Sequence, residues 1–250
     1  MKTSILTHSR RYAGSPINRN GQTAPDTAAS GFTILELMVA IFIFAIVVST
    51  VFGSFRSVFS SSEAMNTSTD LREMAANCLD RMRSDLLSIY VSVPPAYIPP
   101  EFNDDPDIFR VVGDVSDDGS GDYGRLTFTS TAHLPFRNDN RTGIAQIIYY
   151  ADTDADDGIV IRRQDNLYPY PDDFEKKEGD PILCERVKGL TFTYYDHDNE
   201  ETDRWNSESD ENSFASPIAV KIALVLGDED SEMALQTRIN IPMHRPPVEK

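Results

Sequence analysis

Nineteen consecutive residues, Leu37 to Phe55, carry no charge. At about 1.5 Å of rise per residue, a helix of that length spans roughly the 30 Å hydrocarbon core of a bilayer. Such a run commits its part of the chain to lipid or to the interior of an assembly. A single acid, Glu36, stands at its head. An ionised carboxylate at that depth is costly and usually has a task.

The residues before this run are of another kind. Residues 1–30 are polar, rich in Ser, Thr, Asn, Gly and Ala, and show no apolar periodicity, so they read as a leader outside the fold. Up to Gly31 there are Lys2, Arg10, Arg11 and Arg19 against Asp26, a net of +3 in a chain of net −17. Positive charge before an apolar helix and acid after it places the amino terminus on the cytoplasmic side. A surface this acidic repels phosphate backbones, which argues against nucleic-acid binding.

The sequence Gly31-Phe32-Thr33-Ile34-Leu35-Glu36, running into the apolar helix, resembles the processing site of type IV pilins and type II secretion pseudopilins. The resemblance implies cleavage by a prepilin peptidase after Gly31, with Phe32 as the N-methylated mature terminus. It makes Glu36 the fifth mature residue, the acid that sets the register of a subunit during assembly. A carboxylate in hydrocarbon seeks a cation, and a neighbouring subunit's amino terminus can supply one.

Beyond Phe55, apolar residues recur at Leu71, Met74, Cys78, Met82, Leu86 and Ile89, one face of an α-helix. Asp70, Arg72, Glu73, Asp80, Arg81, Arg83 and Asp85 fall mostly on other faces. A helix from Phe32 to Tyr90 would be about 90 Å long, with Gly53 and the serines of 54–62 as a soft spot between its halves. Pro94 and Pro95 forbid continuation. After the proline-rich crossing of 94–107 the period changes to two. Strands are predicted at 108–112, 125–130, 146–150, 159–163, 182–187, 190–195, 219–226 and 235–241. The fold class expected is therefore α+β and pilin-like: a long N-terminal α-helix, transmembrane in its first half, then an antiparallel β-sheet domain. The segments are a leader over 1–31, the helix over 32–93, the linker over 94–107, the β-rich domain over 108–243 and a tail over 244–250.

Signals for chemistry are few. Asp152, Asp154 and Asp156 alternate before Gly158, which suggests calcium. An EF-hand would place its glycine directly after the third acid and a glutamate at position twelve, whereas this chain has Asp157 and Arg163 there. A solvated hairpin loop fits equally well, and a looser calcium site stays open because some pseudopilins bind calcium. Cys78 and Cys184 are either bridged in an export compartment or two buried thiols. His8, His133, His197 and His244 are scattered, and no zincin, Walker or nucleophile-elbow motif occurs, so no enzymatic activity is expected.

Three further stretches narrow the family: Gly124–Pro135 with the Ile-Ile-Tyr-Tyr strand and Gly158–Asp165, then Glu185–Asp196, then Trp205 and Ser216–Leu226. They are similar to the J-type minor pseudopilins of type II secretion. That resemblance implies a structural role at the tip of a periplasmic pseudopilus, with I-type and K-type minor pseudopilins and an inner-membrane assembly platform as partners. Two other readings share parts of the pattern: a minor pilin of a type IV pilus or competence system, and a single-pass membrane anchor for an extracytoplasmic binding domain.

Overall fold

The computed structural model describes residues 31–101, 104–115, 123–135, 141–155, 158–171, 173–228 and 231–248. Residues 1–30 of the leader and Asp156 thus lie outside the described residues. The chain divides into two units, one up to Arg56 and one from Ser57 onward. A single helix, α1 (Ile34–Leu87), contributes to both and is continuous through Gly53 and the following serines. The expected soft spot does not break it, since tolerated glycine and serine cost a helix only about 1 kcal/mol each.

In the second unit α1 buries Leu71, Ala75, Cys78, Leu79, Met82 and Leu86, the stripe that the three-and-four spacing predicts, with Met74 only partly covered. The helix ends when its backbone finds strand partners. The Tyr90 amide donates to the Thr129 carbonyl at 2.9 Å, and the Thr131 amide to that of Ser88 at 2.9 Å.

Two antiparallel sheets complete the unit. The first has the order β5-β4-β3-β2-β1-β8, from β1 (Val112–Val115), β2 (Gly124–Ser130), β3 (Ala145–Asp154), β4 (Gly158–Leu167), β5 (Ile182–Cys184) and β8 (Trp205–Asn206). The second runs β10-β9-β6-β7, from β6 (Val187–Tyr195), β7 (Glu201–Thr202), β9 (Ala219–Gly227) and β10 (Glu232–Asn240). Alternate residues of both sheets, among them Leu126, Phe128, Ile147, Ile161, Phe192, Ile222 and Leu224, join the helix stripe in one core.

Three departures from the sequence reading have local causes. The strand expected over 108–112 starts at Val112 instead, because Asp107 captures the preceding amides. Its carboxylate accepts from the Phe109 N–H at 3.1 Å and its carbonyl from that of Arg110 at 3.2 Å. The strand expected over 182–187 splits, the chain passing from one sheet to the other around Arg186, whose φ is +53°. The acidic stretch expected as a loop is strand through Asp154, in a hairpin whose last pair is Asp154 with Gly158.

Neither the proline-rich crossing nor the C-terminal stretch is loose. Arg245 is buried, its guanidinium 3.4 Å from the centre of the Tyr97 ring. It donates to the carbonyls of Phe214 and Ser207, each at 2.6 Å, and to Glu208 at 2.5 Å. A guanidinium presents five donors in a fixed fork, so one side chain ties together three segments. The stretch 244–250 expected as a tail is, at Arg245, part of the packed unit.

Candidate functional site

The start of α1 is built from short-range chemistry. Thr33 is its cap: the Thr33 hydroxyl accepts from the Glu36 amide at 3.2 Å and its carbonyl from the Leu37 amide at 3.2 Å. Thr-x-x-Glu is the capping-box spacing, legible in the sequence although the strand and helix patterns passed over it. Glu36 thereby sits in the first turn, at the positive end of the helix dipole. Gly31 is extended into open space, with no atom near the position a Cβ would take, and Phe32 is 78% exposed.

From Ile34 to Phe59 the helix is long and apolar enough to cross a membrane, and none of it is buried. Phe42, Phe44, Phe52 and Phe55 all stand free. A patch this large calls for lipid or for neighbouring helices. Two hydroxyls within it bond inside the helix, that of Thr50 to the Val47 carbonyl at 2.8 Å and that of Ser54 to the Thr50 carbonyl at 2.9 Å. That internal bonding is what makes them tolerable in hydrocarbon.

In the second unit the polar chemistry is structural. Asp85, expected on an outer face of the helix, is instead completely buried. Arg163 donates to it through Nε at 2.8 Å and Nη2 at 3.2 Å, and Arg81 and the Tyr149 hydroxyl also donate to it. Arg163 continues to Asp165 at 2.6 Å, and Asp165 meets His133 Nδ1 at 2.6 Å. Burial disfavours the Arg163 charge, but the bonds and charge of Asp85 outweigh it and hold the pKa above its ordinary value. Burial, and then Asp85, drive the Tyr149 pKa well up. The network joins the helix to β3 and β4. No local pattern signals it, because Arg163 lies 78 positions from Asp85.

The acidic hairpin is partly neutralised from within. Arg162 Nε donates to Asp152 at 2.8 Å, its Nη2 lies 3.6 Å from Asp154, and Lys176 lies 3.8 Å from Asp152. Among the described residues no three His, Cys, Asp or Glu side chains are grouped to hold a metal ion. Cys78 and Cys184 form a disulfide with Cα atoms 5.9 Å apart, fixing α1 to β5. An open cleft beside β7 and β8 is lined by Asp114, Asp196, Glu200, Glu201 and Asp203, with Arg204 among them.

Comparison with known proteins agrees with these features. No curated protein matches the chain. Residues 27–52 match the prokaryotic N-terminal methylation motif, which brackets Gly31, Phe32 and Glu36. Residues 53–233, more than two thirds of the chain, match the type II secretion system protein J family. That family is structural rather than catalytic. An exposed apolar helix behind a methylation motif, joined to a two-sheet unit of this family, makes the chain a member of the type II secretion protein J family, the minor pseudopilins.

Proposed function

We propose that this minor pseudopilin is cut between Gly31 and Phe32 by a prepilin peptidase, methylated on the Phe32 amino group, and then drawn from the inner membrane into the tip of the periplasmic pseudopilus. There it joins the I-type and K-type minor pseudopilins on the inner-membrane assembly platform and helps start the filament that drives export of folded proteins. The observation that carries this reading is the bare apolar helix headed by Glu36 directly behind an accessible Gly-Phe bond. Before assembly the helix is solvated by lipid; after it, by the helices of neighbouring subunits. Glu36 pairs with the methylated amino terminus of the adjacent subunit and so fixes its axial register. The +3 charge up to Gly31 and the acidic remainder support an amino terminus inside and a second unit outside the cytoplasm.

Intact-mass measurement of the membrane-extracted protein, with and without the peptidase, tests the first step. A chain starting at Phe32 with one added methyl, formed only with the peptidase, is expected; an uncut chain beside active peptidase would overturn it. Glu36→Ala should still be cut, yet fail to cross-link to the I-type and K-type subunits and fail to support secretion. Normal secretion with that variant would favour a plain membrane anchor carrying a binding domain.

A further inference from the structure

The two histidines furthest along the chain meet at one end of the second sheet. β6 and β10 flank β9, and both Tyr195 and Asn240 pair with the same residue, Ala219. The next residues of each strand leave the sheet side by side. The Ile218 amide donates to the Tyr195 carbonyl at 2.9 Å, and the Ile241 amide to that of Ile218 at 2.8 Å. His197 and His244 lie just beyond these bonds, with ring centroids 5.4 Å apart and planes at 60°.

Both ring nitrogens of His197 are buried without a hydrogen-bond partner. A neutral imidazole carries one N–H and one lone pair, and leaving such groups unsatisfied costs about 1–3 kcal/mol each. The His244 ring is in the complementary state. Its Nδ1 lies 3.1 Å from the Ile241 carbonyl. A carbonyl only accepts, so Nδ1 is the protonated nitrogen, and in the neutral ring Nε2 presents the lone pair. An imidazole oriented by a backbone carbonyl on its far nitrogen is the usual setting of a histidine metal ligand. With metal–nitrogen bonds of about 2.0–2.1 Å, two imidazoles on one tetrahedral ion have centroids roughly 5 Å apart.

We propose that His197 and His244 are the protein ligands of a site for a single divalent d-block cation of the zinc class. Among the described residues no third His, Cys, Asp or Glu completes the set, so water fills the remaining positions. The ion would tie the β6–β7 connection to the segment after β10. Imidazole rather than carboxylate ligation selects zinc, nickel or copper over calcium.

The test uses the whole chain in detergent, without a polyhistidine tag, titrated with Zn2+ in excess Mg2+ by calorimetry. One chelator-reversible equivalent is expected, and His197→Gln and His244→Gln should each weaken binding by at least about tenfold. His133→Gln should leave the affinity unchanged, since that ring pairs with Asp165 of β4 in the first sheet, whereas His197 and His244 meet at the end of the second. X-ray absorption of the unaltered chain loaded with Zn2+ decides the matter even if a variant fails to fold: two imidazole nitrogens in the first shell are expected. No saturable binding, full binding by the His197→Gln/His244→Gln double variant, or a first shell without two imidazoles would overturn the proposal.

Discussion

Asp85 and Gly113 show how much a single position carries. Asp85 brings together Arg163, Arg81 and Tyr149 with no exposed surface of its own. Asp85→Ala would leave the buried Arg163 with Asp165 as its remaining carboxylate, and breaking a buried pair costs about 3–5 kcal/mol. Urea unfolding of the chain in detergent should show a loss of that size, and a smaller one for Arg81→Ala, whose side chain is 22% exposed. Gly113 has a different constraint. A Cβ there would lie 1.9 Å from the Tyr194 hydroxyl, and that ring is wholly buried and cannot step aside. Gly113→Ala should therefore cost at least about 1–3 kcal/mol by overpacking, read in the same unfolding measurement.

Among the elements, α1 has two solvents along its length, and the Cys78–Cys184 disulfide marks where its second becomes a packed core. The bridge closes a loop across 106 positions. Constraining an unfolded loop that long is worth about 4–5 kcal/mol in the chain-entropy account. Replacing both cysteines by Ala should lower stability by roughly 2–5 kcal/mol and remove the response to reductant that the unaltered chain shows. Equal midpoints with and without reductant in the unaltered chain would mean that the bridge contributes nothing. The inner stripe of this helix was readable from its spacing, but Asp85 on the same stripe was not. Periodicity records which residues are apolar; it is blind to a charge whose partners Tyr149 and Arg163 arrive 64 and 78 positions later.

For the molecule as a whole, tyrosines set the alkaline limit. Burial raises the pKa values of Tyr97, Tyr149, Tyr150, Tyr170 and Tyr194, with Glu208, Asp85, Asp180 and Asp114 adding to the shift at four of them. In the unfolded chain these groups titrate near their ordinary value of about 10. Above that pH the unfolded state releases protons that the folded state retains, so stability falls as pH rises. Below it the contribution is fully present. Denaturation midpoints should be flat approaching pH ~10 and drop steeply above it, with the last part of the tyrosinate absorbance, after that of exposed residues such as Tyr168, appearing together with unfolding. Ionisation of all ten tyrosines before unfolding would show that these hydroxyls are open to solvent.

The sequence by itself determined the apolar span, the methylation motif at its head, the helix-then-sheet order and most strands, because each rests on local periodicity or a contiguous motif. The tertiary structure alone decided what depends on distant partners. It split the strands into two sheets at Arg186, drew Asp85 inside, bridged Cys78 to Cys184, and turned the expected tail into the Arg245 clamp. It also brought His197 against His244, because β6 and β10 leave the sheet beside the same residue of β9. Pairing across a sheet joins residues by register rather than by spacing along the chain, and register is fixed only when the strands pack.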